Sequence, residues 1–575
     1  MKIQVLRFSI AIFSIAAIGS GCGNSRSKPR ESELVQTPQQ INAAIQENIT
    51  ALLDFATDRD AVVLDSSRLD NQQLVKEFYS RHGNTAAWSS EEKWLQAADS
   101  MLWFIRKAKY YGLFPEDYHG TLLENIAQRF ALDSSAKKDR RDAVLWAKAD
   151  IALTDAFFHL VRDIKLGRLP NDSVSLRKDS VLTTEFYIER LGLVKKRNST
   201  ALVFNALEPR HAGYHALKNA LPAFLDSASD QPFIIVPPAS AGLAAHRAAL
   251  QKRLTDAGFL VPDSVAVDSV TLAAGVKKFQ QSKGITVDGK AGEGTLRMLN
   301  LSDAEKFLRV AVTMDRYKLL PEVMPDRYVW VNIPAFVMQF HQGDSINEVS
   351  RIIVGKPKTR TPLLNSAISE LITYPQWTVP TSIIAKEILP AVKKDPGYLA
   401  RKGFSLLDSK GDEVDPYSIT WSKYSKGIPY RVVQGSGDAN ALGILKFNFP
   451  NKYAVYLHDT NQRYLFGQTM RSLSHGCVRV QEWEKLAYSI VRHDSRDKVG
   501  PKATAVEDSM RAWLVRKEKH SIPVRNKLPV YIRYFTCEAR DGRLVIHDDI
   551  YGEDKFIIQR YFRPGAQSGK QIAAR

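Results

Sequence analysis

Cysteine is scarce in this chain: Cys22, Cys477 and Cys537 are the three among 575 residues. They make no disulfide framework. No Cys/His group has the spacing of a zinc site, and His458 and His475 are too far apart for a His-x3-His pair, so neither metal nor cofactor is expected. A membrane-spanning run is also missing. The apolar stretch from Phe8 to Ile18 has eleven residues, against the about 20 needed to cross about 30 Å of hydrocarbon. Basic runs interleaved with aromatics are absent, which argues against a nucleic-acid partner.

Apolar residues make up 44% and charged residues 25% of the sequence, an ordinary globular composition. A length of 575 residues calls for several domains, since one core rarely grows past about 250–300 residues. Residues 1–22 read as an export signal: Lys2 and Arg7 precede the apolar run. Ile18-Gly19-Ser20-Gly21-Cys22 resembles a lipobox, where cleavage exposes a cysteine for lipidation, although Gly19 stands in place of the usual leucine. A lipid anchor at Cys22, plain secretion and an uncleaved anchor are the three outcomes, and all place the rest outside the inner membrane. Residues 23–40 are polar and read as a tether. With 80 Lys+Arg against 62 Asp+Glu the formal charge is +18. That is either a solvated basic surface or an attraction to a polyanion, and a carboxylate-rich wall polymer suits an exported protein.

Residues 41–232 show the helical period, as in Leu95, Met101, Leu102 and Ile105, or Ile151, Leu153, Phe157, Phe158 and Val161. Trp88, Tyr118 and His119 read as core rather than site. Residues 243–302 form a small unit: Leu250 and Leu254 begin one helix, Leu272, Val276 and Phe279 line a second, and Leu296 and Leu299 a third. With Gln280, Gly284, Val287-Asp288-Gly289, Gly292 and Thr295, this unit resembles a three-helix peptidoglycan-binding domain. Residues 303–326 suggest a connecting helix carrying Phe307, Val310, Ala311 and Met314. From 327 the period changes to that of strands, punctuated by Gly and Pro, predicting a mostly β domain over 327–560. A helix-prone, Lys-rich stretch from Ser382 to Gly403 marks an insertion within about 381–431.

The chemistry gathers at Ser474-His475-Gly476-Cys477-Val478-Arg479. A thiolate is a good acyl nucleophile, but a free thiol with a pKa near about 8.5 is mostly protonated at neutral pH. A neighbouring imidazole can take that proton. In an extended strand His475 shares a face with Cys477. His458 ends the alternating run Tyr453-Ala454-Val455-Tyr456-Leu457. An imidazole that activates Cys477 should move its alkylation well below the ordinary thiol range. Gly476 allows a sharp turn or a close approach, and nearby N–H groups can cradle an oxyanion.

His458 followed by Ser474-His475-Gly476-Cys477 resembles the signature of the YkuD-type L,D-transpeptidases. Arg479 replaces the usual Asn, as in the large periplasmic YcbB type. Further landmarks are Val331-Asn332-Ile333-Pro334, Val354-Gly355-Lys356-Pro357, Trp377-Thr378-Val379-Pro380 and Asp548-Asp549-Ile550-Tyr551-Gly552. The 41–232 region is similar to that type's helical scaffold. The resemblance implies a multidomain α+β protein: scaffold, peptidoglycan-binding domain and catalytic domain with an inserted helical lid. It implies Cys477 as nucleophile of a thioester acyl-enzyme, susceptible to a carbapenem, with His458 as general base and acid and His475 as second choice. Tyr456 and the N–H groups of Gly476 and Cys477 are oxyanion candidates. Arg479, Trp377 and Ser474 are the substrate-binding candidates, Arg479 alternatively forming a structural ion pair and Trp377 alternatively packing in a core. The partners implied are peptidoglycan stem peptides and glycan strands. The same acyl-enzyme released by water would make a carboxypeptidase or endopeptidase, and an inert wall-binding lipoprotein is a further reading. Acceptor and oligomeric state are not written in the sequence.

Overall fold

The computed structural model describes residues 29–562 apart from 59–61, 65–66, 136–140, 180, 229–232, 263–266, 497–501 and 503. The export signal, Cys22 and the first part of the expected tether lie outside the described residues. From residue 29 onward the tether reading does not hold. Leu34–Val35 pairs antiparallel with Arg141–Asp142, and a helix already runs from Pro38 to Asp58. The reason is polar: Ser32 Oγ and the Glu33 N–H both donate to the Asp142 carboxylate, at 2.8 and 3.1 Å. No described helix is long and apolar enough to cross a membrane.

The chain divides into two compact units. The first holds residues up to Leu102, Tyr118–His159 and Ile188–Ser199. Its helix Pro38–Asp58 buries Ile41, Ile45, Ile49, Leu52 and Leu53, the i, i+4, i+8 stripe of an amphipathic helix. Trp88, Tyr79 and Tyr118 are fully buried. Asp150 beneath them accepts the N–H groups of Ala87 and Trp88 at 2.8 and 2.9 Å and the Tyr79 hydroxyl at 2.6 Å. His119 Nε2 lies 2.8 Å from Asp155. A buried carboxylate needs such a full set of donors, and these bonds place Trp88 and His119 in polar networks of the core, where Tyr118 is also buried.

The second unit holds Trp103–Asp117, Leu160–Tyr187 and everything from Thr200. Within it, helices Leu243–Asp256, Ser269–Ser282 and Glu293–Leu299 close over Leu250, Leu254, Leu272, Val276, Phe279 and Leu299. Gln280, buried among them, donates to Asp288 Oδ1 at 2.8 Å and accepts the Gly289 N–H at 2.9 Å, which ties the turn to the second helix. The connecting helix is shorter than expected, Asp303–Tyr317 rather than 303–326. A Ser302/Glu305 capping box opens it, and Pro321 follows its end. It is buried on more than the predicted face, since Asp315 receives the N–H groups of Arg168 and Leu169 at 2.8 and 2.7 Å.

Among the described residues the main sheet of the β domain has nine strands: β1 Arg327–Asn332, β2 Val337–Gln342, β3 Ser345–Gly355, β4 Leu364–Thr373, β5 Leu445–Asn448, β6 Leu457–His458, β7 Ser472–Ser474, β8 Val478–Val480 and β9 His520–Arg533. Their order is β7-β3-β8-β6-β5-β4-β9-β1-β2, and β2 also pairs with β3, which closes the sheet on itself. Closure is possible because β3 is long: residues 345–351 pair with β2, while Ile352 and Ile353 pair with β8. The core is Val329, Val331, Ile352, Val354, Ile368, Leu371, Phe447, Leu457, Val478, Val480 and Val530 with their neighbours.

Between β4 and β5 the insertion builds a separate small sheet of Trp377–Thr378, Arg431–Gln434 and Phe404–Leu407. Its helical part is Thr381–Lys394, with a π-helical turn at Ile384–Ile388, followed by Tyr398–Arg401. The π turn precedes Pro390, whose missing N–H cannot continue a regular ladder. Val379, Ile384, Ile388, Leu389, Val392, Leu399, Leu406, Trp421 and Val432 give the insertion its own core.

Candidate active site

Three edges of strand register assemble the site. Lys446 on β5 stands opposite His458 on β6, and His458 stands opposite Arg479 on β8. Cross-strand partners and residues two apart share a face. Lys446, His458 and Arg479 therefore form one row, with Tyr456 and Cys477 in the row beside it. The Val478 N–H donates to the Tyr456 carbonyl at 3.1 Å, locking these rows together.

Cys477 follows a tight turn. Ser474 Oγ donates to the Cys477 carbonyl at 2.6 Å and accepts the Gly476 N–H at 3.1 Å. Gly476 has φ of +126°, a region essentially closed to side chains, and its carbonyl accepts from Thr361 Oγ1 at 2.8 Å. Two sequence expectations change here. Ser474 is buried and its hydroxyl is consumed by the turn, so it does not face a ligand. The Gly476 N–H is also taken, which removes it as an oxyanion donor.

The thiol has a defined environment. Cys477 Sγ lies 3.9 Å from the Ala454 carbonyl. The N–H and O–H of Tyr456 both face it and favour its thiolate, as do the charges of Lys446 and Arg479, but burial dominates and pushes the thiol above its ordinary range. Burial in the resting site thus opposes the depression that an activating imidazole would give. Tyr456 itself is held far above the ordinary phenol range by burial and by Cys477. It remains an O–H donor throughout the physiological range, positioned by the Trp377 indole N–H and a Lys446 ammonium 4.0 Å from its ring centre.

His458 is buried. Its Nδ1 lies 2.5 Å from the Asp459 main-chain oxygen. A carbonyl only accepts, so Nδ1 carries the hydrogen and Nε2 keeps its lone pair. The Asp459 carboxylate is engaged elsewhere, with the Ile444 N–H at 3.1 Å and Arg463 at 2.9 Å. The backbone carbonyl, not the adjacent carboxylate, is what orients the ring. Burial and the Arg479 guanidinium hold His458 down at about 3, against the pull of the Asp459 and Leu442 carbonyls. No hydrogen bond joins His458 to Cys477 among the described residues. His475 is placed differently: it is exposed, and its Nε2 meets Glu387 of the insertion at 2.5 Å.

Arg479 forms no ion pair among the described residues. One guanidinium nitrogen donates to Gln462 Oε1 at 3.1 Å, while Nε is buried without a partner. The structural ion pair is therefore not formed. Trp377 is half-buried against the insertion's core, 6.1 Å from Phe404. Cys537 packs in a cluster with the Asp303–Tyr317 helix, and burial pushes its thiol up to about 12. Lys446 carried no sequence signal, because a lone lysine in Leu445–Asn448 looks like any solvated strand residue.

The low pKa of His458 has a stability consequence. The unfolded chain binds a proton near about 6.5 that the folded site refuses until about 3. The contribution is full above about 6.5 and is lost as pH falls toward the folded value. His458→Gln should therefore flatten the fall in Tm between pH 7 and pH 4 relative to the parent chain. Parallel Tm profiles would contradict this.

Residues 326–499 match the L,D-transpeptidase catalytic domain, YkuD, with a putative peptidoglycan binding domain matched over 245–299 and a scaffold domain over 73–221. The chain thus carries an L,D-transpeptidase catalytic domain of the YkuD family together with a peptidoglycan-binding domain, an order consistent with the YcbB type. A protein of Haemophilus influenzae called "Putative L,D-transpeptidase" is 38% identical over 250 residues, 43% of this chain and 48% of that protein. The match spans about half the length of this curated relative. The matched catalytic segment stops at residue 499, whereas the sheet needs β9, His520–Arg533, to join β4 to β1.

Proposed function

We propose that this chain is a cysteine acyltransferase that forms 3→3 crosslinks in peptidoglycan. The observation that carries the reading is the set of groups around Cys477: two Tyr456 donors facing Sγ and a buried neutral imidazole in the neighbouring row. Sγ attacks the carbonyl carbon of the third residue in a donor stem tetrapeptide, and its proton passes to His458 Nε2. The oxyanion is held by the Tyr456 hydroxyl and main-chain N–H groups. His458 returns the proton to the departing D-Ala amine, leaving a thioester. The side-chain amine of a second stem then attacks, its proton passes to His458, and sulfur leaves to become the thiol again. Apo sites commonly hold such partners apart until substrate closes them.

Arg479, without an ion-pair partner among the described residues, offers its guanidinium to a stem carboxylate. The insertion acts as a lid that shields the thioester from water, with Trp377 at its base. The 243–302 unit holds the wall. The protein works in the periplasm, anchored through lipidated Cys22, and Cys22→Ala should release it from membranes. A variant that still sediments after a high-salt wash would refute the anchor.

The test of the whole reading is the mass of Cys477 after incubation with a donor tetrapeptide, with and without an acceptor stem. An adduct that matures into a crosslinked dimer is expected. An adduct released only by water identifies a carboxypeptidase, and an unmodified Cys477 refutes both.

A further inference from the structure

Lys446 is a cation with no ion-pair partner within 4 Å among the described residues. The acid that acts on it is Glu370, which lies one strand away on β4 and opposite Asn448 rather than Lys446. The Glu370 carboxylate is already engaged, accepting from Asn448 Nδ2 at 2.6 Å and Ser521 Oγ at 2.5 Å. The Lys446 ammonium instead lies 4.0 Å from the centre of the Tyr456 ring. A cation over an aromatic face is attracted by the ring quadrupole, the more so when partly desolvated. Tyr456 is the residue whose hydroxyl and N–H face Cys477. The charged and titratable groups around Lys446 are Cys477, Glu370, Tyr456 and His458, and Arg479 completes the set around the thiol.

We infer that Lys446 is a positioning residue for the nucleophile, holding the Tyr456 ring so that its hydroxyl meets sulfur and supplying positive charge that favours the thiolate. This rests on the acyl-transfer reading for its purpose, though not for its test. Lys446 and Arg479 stand on either side of His458 in one row. They stabilise a negative sulfur and oppose a positive imidazole. A proton taken from Cys477 therefore does not rest on His458, and passes on to the departing amine. The cation row thus drives the proton in the direction the reaction needs. Burial holds the lysine below its ordinary range, and Cys477 and Glu370 raise it. That is the reciprocal side of the same interaction.

The experiment is the pH dependence of iodoacetamide alkylation in the full chain, read by mass on the peptide containing Cys477. Buried Cys537 is resolved as a separate peptide. Lys446→Gln should move the alkylation limb upward by about half to one pH unit, or roughly 3–10-fold in rate at fixed pH below the limb. Lys446→Arg should keep the limb near the parent's. Glu370→Gln removes the carboxylate that offsets the lysine, so it should move the limb the other way, downward. A limb that stays in place or moves downward in Lys446→Gln marks a lysine that acts only as packing and overturns the proposal, whatever Glu370→Gln does. So does Lys446→Arg behaving like Lys446→Gln. Should Lys446→Gln fail to fold, Lys446→Met takes its place, with the same upward shift expected and an unmoved limb overturning the proposal. Because alkylation needs no wall substrate, a parent chain that forms no adduct with donor tetrapeptide would refute the functional reading and leave this result standing.

Discussion

His458→Ala is expected to slow acylation of Cys477 by about 10²–10⁴-fold, the usual contribution of a general base. The size of the effect follows from the state of the thiol. Burial pushes Cys477 up, so the resting nucleophile is a neutral S–H and cannot react until a base removes its proton. His458 stays neutral down to about 3, so that base is available over the whole working range. Acylation should then show no acid limb between pH 7 and pH 5. The check is the rate of adduct formation with a carbapenem or donor tetrapeptide in the parent and in His458→Ala, with Tm measured alongside. His475→Ala serves as the comparison. Its imidazole points at Glu387 of the insertion, so its loss should act through the lid and turn and be much smaller. If His475→Ala shows the large loss and His458→Ala the small one, the roles are reversed.

Tyr456→Phe should cost about 10²–10³-fold in the same acylation rate, the range seen when one oxyanion donor is removed. The substitution keeps the ring, and so keeps the Lys446 contact and the packing against His458 at 5.5 Å between ring centres. It deletes only the hydroxyl that faces sulfur. Two of the three donors proposed from the sequence remain relevant after the structure is seen, Tyr456 and the Cys477 N–H, because the Gly476 N–H is bound to Ser474 Oγ. A loss below about threefold would mean that main-chain N–H groups carry the oxyanion unaided. The variant should also raise the alkylation limb of Cys477, since the hydroxyl is one of the groups that favours its thiolate.

Much of the site was legible because its parts are local. The Ser474–Arg479 motif is the short turn that joins the end of β7 to the start of β8, and the need for glycine at 476 follows from one backbone angle. The alternation in Tyr453–Leu457 predicted a strand over that run, but only Leu457–His458 is strand, because Lys452 and Tyr453 lie in a turn and Ala454 has φ of +53°. Other parts were not legible. Ser474 looked free to bind substrate, but its hydroxyl closes the turn on the Cys477 carbonyl. Asp459 looked like a candidate partner for the imidazole, yet its side chain serves Arg463 and Ile444. Each depends on where a short polar side chain points once the loop is packed.

Periodicity alone determined the domain classes: helices before about 232, a three-helix unit, a mostly β domain and a helix-prone insertion. A period of 3.6 or 2 is a property of consecutive residues and survives without the fold. The Cys/His pair and the short polar turn belong to the same level. What only the tertiary structure decided is the row of Lys446, His458 and Arg479, the unpartnered Arg479 Nε and the protonation of the thiol and imidazole. Register between strands is set by side-chain packing across the closed sheet, over separations that no local pattern records. Protonation follows burial, and burial exists only when distant strands exclude water from the same few atoms.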